Sequence, residues 1–183
     1  MLIASIDTET TGLFRDRHEM IQIAVTMATP DFRPTGVRFL SYIKPMRLEL
    51  VDDIAMQVNG LSIQELSESA PTPSQVRMSF MQWKEELFGA ELICPLGHNY
   101  SFDKGFIESM FKDLYNEIFD YHIRDTQVLA YGLMDAGILK AKSTGLKALT
   151  ESLKIPLVGH HDAYVDSLAA LEVYRKLIAL CRD

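Results

Sequence analysis

Length, composition and charge limit what this protein can be. Its 183 residues are 48% hydrophobic and 23% charged, which is typical of a globular chain and excludes a disordered one. We expect one domain over residues 1–183, and no apolar run approaches the length of a membrane span. The net charge of −7 argues against a broad basic surface for duplex DNA but is compatible with a small active-site groove.

The N-terminus and the cysteines bear on the compartment. No basic region precedes the first apolar residues, and Asp7 interrupts them early, so we expect no signal peptide. Cys94 and Cys181 both lie among apolar residues, which favours two buried, reduced thiols over a disulfide. These observations predict a cytoplasmic protein with no membrane segment.

The first half of the chain predicts three strands followed by helices. The predicted strands cover residues 1–6, 20–27 and 37–43. The short loops between them favour an antiparallel meander. A loop with a short helix is expected at 52–61, and Ser62 is expected to cap a turn that ends at Glu68. Apolar residues at helical spacing then predict a helix over 74–88.

The second half alternates strands and helices. A strand is predicted at 91–97, where Pro95 disfavours a fully hydrogen-bonded central position, and a short strand is predicted at 121–124. The predicted helices cover residues 101–116, 126–134, 146–153 and 162–180. Three strands followed by this alternation predict an α/β fold in which helices flank a mixed five-stranded sheet.

The most informative stretch runs from Leu2 to Leu13, where an apolar strand ends in two carboxylates and a glycine loop. Asp7 and Glu9 are two residues apart, so they point to the same face of an extended strand. Neighbouring like charges are unfavourable unless a cation lies between them, and a divalent ion with oxygen ligands would serve. An acidic loop after a core strand is the ordinary alternative, which further ligands elsewhere in the chain must outweigh.

Two later segments carry further carboxylates. Asp103 belongs to the first turn of a helix that follows a strand, at the edge where α/β proteins commonly bind ligands, although a helix N-terminus favours a carboxylate in any case. Asp166 lies among apolar residues of the last helix, where a buried acid needs a partner, and His161 stands five residues before it. We interpret Asp162 as the cap of this helix and His160 as a loop residue.

Taken in order, these motifs resemble those of a known family. The motifs are Asp7-x-Glu9-x-Thr11-Gly12-Leu13, His98-Asn99-x-x-Phe102-Asp103 and His161-x-Ala163-x-x-Asp166. The set resembles the DEDDh class of 3′–5′ exonucleases, which includes the DnaQ-like proofreading subunits of bacterial DNA polymerase, ribonuclease T and oligoribonuclease. The resemblance spans nearly the whole chain and implies a ribonuclease H-like fold, in agreement with the predicted order of strands and helices.

The resemblance implies a two-metal phosphodiester hydrolase. Asp7, Glu9, Asp103 and Asp166 would hold two divalent ions, Mg²⁺ or Mn²⁺. Asp7 would bridge the pair, Glu9 and Asp166 would complete one site, and Asp103 would act on the other. His161 would be the general base toward the attacking water, a role that suits a side chain with a pKa near neutrality. The product would be a nucleoside 5′-monophosphate.

Substrate contacts are implied more loosely. The implied substrate-binding residues are Thr10, Thr11, Gly12, Leu13, Asn59 and Phe102. Leu13 would wedge against the 3′-terminal base and Phe102 would stack on a base, although core packing is the ordinary role of both side chains. Asn59 stands where the family has the histidine of a His-Gly-Ile segment, which is a departure from the family pattern.

The first motif also bears on the substrate. It reads Asp-Thr-Glu-Thr-Thr-Gly, as in the proofreading subunits and unlike the Asp-x-Glu-Met-Thr-Gly of oligoribonuclease. Single-stranded DNA is therefore the expected nucleic-acid partner, with RNA or very short oligonucleotides as the alternative. The chain ends soon after the last motif, so we expect a stand-alone nuclease; the sequence leaves a polymerase partner or a homodimer open.

Two other classes fit the sequence less well. A phosphatase of the haloacid dehalogenase type would require a second Asp where Glu9 stands, and it would leave His161 unexplained. A non-catalytic interaction module on a nuclease scaffold is allowed by fold alone. Its mark would be the loss of a metal ligand or of the base, and none is lost here.

Overall fold

The computed structural model describes residues 2–157 and 159–182. Its strands are β1 (Leu2–Thr10), β2 (Met20–Ala28), β3 (Pro34–Tyr42), β4 (Ile93–Gly97) and β5 (Arg124–Asp125). They form one five-stranded sheet with the order β3-β2-β1-β4-β5. The first three form the predicted antiparallel meander, whereas β4 and β5 join in parallel. The predicted mixed sheet of five strands is confirmed.

Helices cover both faces of this sheet. The described α-helices are α1 (Asp53–Asn59), α2 (Ile63–Ser69), α3 (Pro73–Phe88), α4 (Tyr100–Phe111), α5 (Tyr115–Ile118), α6 (Thr126–Asp135), α7 (Leu146–Ser152) and α8 (Ala163–Leu180). Ser62 caps α2 through its side chain, as predicted. None of the described helices is long and apolar enough to span a membrane.

The two faces of β1 serve different purposes because successive side chains alternate across a strand. Ala4 and Ile6 point into the larger core, where they meet apolar side chains of α3 and α4 such as Phe80 and Phe106. The other face lies against α8, which packs on β1 and β2. Asp7 and Glu9 belong to this second face, so β1 presents its carboxylates toward the start of α8.

Several element boundaries differ from the prediction. β1 continues past Ile6 to Thr10 because its polar end still pairs with β2, Glu9 lying opposite Gln22. The predicted helix over 101–116 is wrong beyond Phe111. Lys112 has a positive φ of 51°, which ends α4 there, and the chain continues into a short 3₁₀ segment and α5.

The structure also bears on the predictions for Pro95 and for the two cysteines. Pro95 does lie in an interior strand, paired with Ala4 of β1. The position is tolerated because β5 pairs with β4 only from Leu96 onward, just beyond the proline. Cys94 is buried as expected, whereas Cys181 is exposed because it follows the last turn of α8; both are free thiols.

Candidate active site

A glutamine on β2 fastens the start of α8 over the carboxylates of β1. Gln22 donates Nε2–H to Asp162 Oδ2 at 3.2 Å, and its Oε1 accepts the N–H of Ala163 at 3.1 Å. Asp162 also accepts the N–H of Tyr164 and so caps α8, as predicted. Because Gln22 stands opposite Glu9 in the sheet, these bonds bring the first turn of α8 to the polar end of β1.

Three of the predicted metal ligands meet at this point. One carboxylate oxygen each from Asp7, Glu9 and Asp166 lie within 4.8 Å of one another. The Asp166 residue is only 5% exposed, so its charge is largely removed from water. Hard divalent cations take carboxylate oxygens as ligands, and three such oxygens in this space fit a metal ion.

Asp103, the fourth predicted ligand, approaches from the opposite face of the sheet. It lies in the first turn of α4, is 3% exposed, and accepts a hydrogen bond from Thr8 Oγ1 at 2.7 Å. It stands outside the compact set of three, yet its charge is close enough to raise the pKa of Asp7. The structure therefore gathers the other three acids around Asp7.

Burial and mutual repulsion raise the pKa of these carboxyl groups. For Asp7 burial is the largest cause, followed by the charge of Asp103, and the pKa is raised well above its ordinary value. Burial and then the charge of Asp166 raise the pKa of Glu9 to about 8. Burial raises the pKa of Asp103 to about 7, although the Thr8 hydroxyl acts in the other direction. Such uncompensated negative charge favours a bound cation.

Two consecutive histidines stand beside Asp166. His160 Nδ1 lies 2.8 and 2.9 Å from the two carboxylate oxygens. His161 instead donates its backbone N–H to Asp166 Oδ2 at 3.2 Å, in a left-handed conformation with φ of 71°. Its exposed ring stacks on His160 with 3.8 Å between the ring centroids. His160 is a loop residue, as predicted, but the sequence did not indicate its contact with Asp166.

The loop that follows β1 is held by its own side chains. Thr10 Oγ1 donates to the carbonyl of Gly12 at 2.8 Å, and Thr11 Oγ1 accepts the N–H of Glu19 at 2.9 Å. Gly12 has φ of 157°, and a Cβ there would come within 2.6 Å of the His18 ring. Since both hydroxyls are used inside the loop, we expect this segment to meet a nucleotide mainly through its backbone.

The remaining predicted substrate contacts have different surroundings. Leu13 is 69% exposed, so it is available as a wedge. Phe102 is half-buried and packs on Phe106 with ring centroids 5.2 Å apart. Asn59 is buried and donates Nδ2–H to the carbonyl of Thr10 at 3.2 Å. The Asn59 side chain therefore supports the loop that carries Leu13.

One residue that the motifs did not include fixes the segment carrying Asp103. Asp125 accepts the N–H of Asn99 at 3.2 Å and that of Tyr100 at 2.7 Å, at the start of α4. It also accepts the N–H of Gln127 at 2.8 Å, at the start of α6. One carboxylate thus caps two helices. In the sequence, only the position of Asp125 just before a predicted helix indicates a capping role, and that position predicts a cap for α6 but not for α4.

Comparisons with known proteins agree with this arrangement. The family model described as Exonuclease (RNase_T) matches residues 4–174. The 3′-5′ DNA exonuclease Cap18 of Escherichia coli is 27% identical over 176 residues, which are 95% of this chain and 90% of that protein. DNA polymerase III subunit epsilon of Buchnera aphidicola subsp. Schizaphis graminum is 34% identical over 124 residues, which are 64% of this chain and 48% of the subunit.

Solved structures share the fold. Exonuclease I of E. coli in complex with a dT13 oligonucleotide has a TM-score of 0.80 at 23% identity, over 96% of this chain and 40% of the other. The zinc-bound form of its complex with single-stranded DNA has a TM-score of 0.79 at 22% identity, over 95% of this chain and 40% of the other. The chain therefore spans about two fifths of exonuclease I, and the likeness confirms the ribonuclease H-like fold.

Proposed function

This chain belongs to the exonuclease family whose model it matches over residues 4–174, and from that premise we propose that it removes nucleotides from the 3′ end of single-stranded DNA with the aid of divalent metal ions. The family match confirms the predicted 3′–5′ exonuclease of the DnaQ-like type. The observation that carries the proposal is the meeting of Asp7, Glu9 and Asp166 within 4.8 Å, with Asp103 close enough to act on Asp7.

Single-stranded DNA is the substrate that we favour over RNA. The relative from E. coli is named a 3′-5′ DNA exonuclease, and the structural neighbours include exonuclease I bound to dT13 and dA16 oligonucleotides. The first motif of this chain also has the form found in proofreading subunits. Exposed Leu13 and half-buried Phe102 offer apolar surface to unpaired bases, which suits a strand whose bases are free.

The four acids would hold two divalent ions, either Mg²⁺ or Mn²⁺. Ions bound there would stabilise the attacking and leaving oxygens of an in-line phosphodiester hydrolysis. Asp7, Glu9 and Asp166 supply the compact set of donors, and Asp103, oriented by the Thr8 hydroxyl, would complete the second site. The raised pKa values of Asp7 and Glu9 support this assignment because a cation relieves the repulsion between them.

His161 would take the proton from the attacking water. Its ring is exposed beside the acids, and its backbone bond to Asp166 keeps it there. Partial burial, followed by the charges of His160 and Lys147, lowers its pKa against the opposing effect of Asp166. At neutral pH the ring is then mainly neutral and can accept a proton. His160, whose Nδ1 faces Asp166, would position that ligand.

The test is digestion of 5′-labelled single-stranded DNA and RNA of one sequence, with Mg²⁺, Mn²⁺ or chelator. We expect DNA to shorten from its 3′ end faster than RNA, with release of 5′-monophosphates and with no reaction in chelator. Asp7→Asn should abolish the reaction. Asp113→Asn removes an exposed carboxylate elsewhere on the chain and should leave the reaction unchanged.

Three results would change the proposal. Faster shortening of RNA would make the enzyme an exoribonuclease. Full activity in His161→Ala would remove this residue from the role of base. No shortening of either strand by folded protein with metal would overturn the nuclease assignment and favour the interaction module.

We also assign the whole chain, residues 1–183, to one exonuclease domain and place it in the cytoplasm. The extent of the family match, residues 4–174, supports the domain assignment. The two free thiols, Cys94 and Cys181, suit a reducing compartment.

A further inference from the structure

The segment that precedes the two histidines carries a local excess of positive charge. Residues 136–157 contain four lysines and one glutamate, a net charge of +3, although the whole chain carries −7. The lysines are Lys140, Lys142, Lys147 and Lys154, and all four are exposed. None of them takes part in the ion pairs formed within residues 2–157 and 159–182. Among the described residues, these exposed cations therefore have no ion-pair partner.

Two of these lysines line a cleft that reaches the candidate active site. The cleft has a volume of about 380 Å³, and its lining includes Lys142, Ser143, Lys147 and His160. The cleft is shallow and largely open to solvent. We call it the lysine cleft. His160 in its wall is the same imidazole that lies 2.8 Å from Asp166, so the cleft adjoins the metal ligands.

The lysine cleft lies beside the candidate active site. Lys147 and His160 line the same cleft, and the His160 ring stacks on that of His161 with 3.8 Å between the centroids, so the ammonium group lies near the two histidines. When no metal ion is bound, Asp7 and the three acids around it disfavour the approach of a phosphate. A strand that ends at these acids therefore needs cations nearby, and a lysine ammonium is a compact charge that binds phosphate.

We propose that Lys142 and Lys147 bind backbone phosphates of the single strand whose 3′ end lies at the carboxylates, an inference that rests on the proposed function. The contacts carry no base information, since phosphate contacts set register and orientation while base contacts specify. The lysine cleft would thus align strands of any sequence, and it would supply affinity that falls as the salt concentration rises.

A glutamate in the same cleft makes it possible to test whether DNA binding depends on the charge of the cleft. Glu151 is exposed, lines the cleft and lies four residues after Lys147 on α7. Its negative charge would repel a phosphate bound by the lysines. Removing it should strengthen DNA binding, whereas removing the lysines should weaken it. A purely structural role of this segment would not produce opposite effects from substitutions at one site.

The experiment measures binding of a fluorescent single-stranded DNA to Asp7→Asn protein, which leaves the strand intact, at several salt concentrations. Adding Lys142→Gln and Lys147→Gln together should weaken binding at low salt by on the order of tenfold. It should also reduce the slope of log K against log salt by about 1.4, since each phosphate contact on a single strand contributes about 0.7. Glu151→Gln should tighten binding by roughly twofold to threefold at low salt.

The control removes the same amount of charge elsewhere. Lys112→Gln with Arg182→Gln changes two exposed cations, one just after α4 and one beyond the end of α8. We expect the slope to stay within about 0.3 of that of the parent protein. If this pair reduces the slope as much as the lysine pair does, net charge alone explains the effect and the lysine cleft is rejected.

A second measurement locates the bound phosphates. Three strands are compared. Each carries one neutral methylphosphonate linkage, at a different one of the three positions nearest the 3′ end. At least one such strand should bind the Asp7→Asn protein more weakly than the unmodified strand does. The lysine pair variant should bind that strand and the unmodified strand equally well. Equal weakening of both proteins at every position would reject the lysine cleft.

Digestion of the same unmodified strand by wild-type protein separates the two proposals. If digestion proceeds from the 3′ end while the lysine pair variant binds like the control, only the proposed binding of phosphates by the lysine cleft is rejected. If wild-type protein neither binds nor digests the strand, the proposed function falls, and this inference falls with it.

Discussion

His160 Nδ1 lies 2.8 Å from Asp166 Oδ2, which makes the imidazole the immediate neighbour of a carboxylate that is only 5% exposed. The carboxyl groups of Asp7 and Glu9 lie beside the same carboxylate. We therefore expect His160 to be the group that stabilises Asp166 when divalent ions are withdrawn by a chelator. The pairing would then link the stability of the site to its metal content.

Replacing His160 with alanine should destabilise the protein most in chelator. Asp166 would then be left buried beside two other carboxyl groups, without its hydrogen-bonding partner. We expect a loss of about 1–2 kcal/mol in the free energy of unfolding, below the roughly 3–5 kcal/mol typical of a fully buried pair, because the His160 side chain is 29% exposed. Mn²⁺ should reduce the loss by taking over the compensation. Urea unfolding with EDTA and with Mn²⁺ measures both values.

A second histidine–aspartate pair offers a matched control. His122 Nδ1 lies 2.7 Å from Asp120, but its side chain is 63% exposed. His122→Ala should therefore change the unfolding free energy by less than about 1 kcal/mol, with or without metal. Equal losses in the two variants, or a His160→Ala loss that ignores Mn²⁺, would contradict the role assigned to His160.

Stability without metal should fall as the pH rises above about 4. The pKa of Glu9 is raised to about 8 and that of Asp103 to about 7, whereas carboxyls of an unfolded chain titrate near 4. The folded protein thus holds protons that the unfolded chain has released, and this stabilisation is lost as pH rises toward 8. Thermal unfolding in EDTA from pH 5 to 9 should show a declining midpoint.

Two comparisons isolate the carboxylates as the cause. Glu9→Gln should make the decline shallower, since one raised pKa is removed, and Mg²⁺ should flatten it in the wild-type protein. An unchanged slope in Glu9→Gln would show that other groups control the pH dependence.

Truncation of Leu13 should weaken substrate binding without affecting the fold. The side chain is 69% exposed, so it contributes little to the core, whereas contact with a base would bury it. Leu13→Ala should raise KM for single-stranded DNA by about 5- to 20-fold, since burial of such a side chain contributes about 1.5–3 kcal/mol at most. Leu87→Ala, at a 52% exposed leucine on α3, is the control. Similar KM values in the two variants would argue against the wedge.

Two glycine substitutions should have opposite effects on stability. In Gly12→Ala the new Cβ would come within 2.6 Å of the His18 ring, so the loop must move, at a loss of about 1–3 kcal/mol and most of the nuclease activity. Gly132 lies inside α6 with no atom within 4 Å of an added Cβ. Gly132→Ala should stabilise the protein by about 0.4–1 kcal/mol and leave activity intact. Urea unfolding and strand digestion distinguish these outcomes.

The sequence predicted the site best where its geometry is local. Asp7 and Glu9 share a face because they are two residues apart on a strand, and Asp162 caps α8 because it directly precedes it. The end of β1 was placed too early because the apolar residues stop at Ile6. The strand continues to Thr10 because Glu9 pairs with Gln22 and Thr10 with Met20 of β2, contacts that exist only once the sheet has formed.

Contacts between distant or unusually turned residues could not be predicted in this way. His160 reaches Asp166 through a turn at His161, where φ is positive, a conformation that non-glycine residues adopt too rarely for a sequence pattern to reveal it. The early end of α4 likewise depends on a positive φ at Lys112. In both cases tertiary packing overrides the local tendency of the chain.

The double cap at Asp125 has a consequence for the order in which the protein assembles. Asp7, Glu9 and Asp103 have all been synthesised before Asp125, yet the start of α4 gains its two cap bonds only when that residue arrives. A chain emerging from the N-terminus would therefore hold three of the four acids in an unfinished framework. We expect the acids to reach their final places only after β5 has docked and α8 has closed over β1, so an incomplete chain should lack the assembled site.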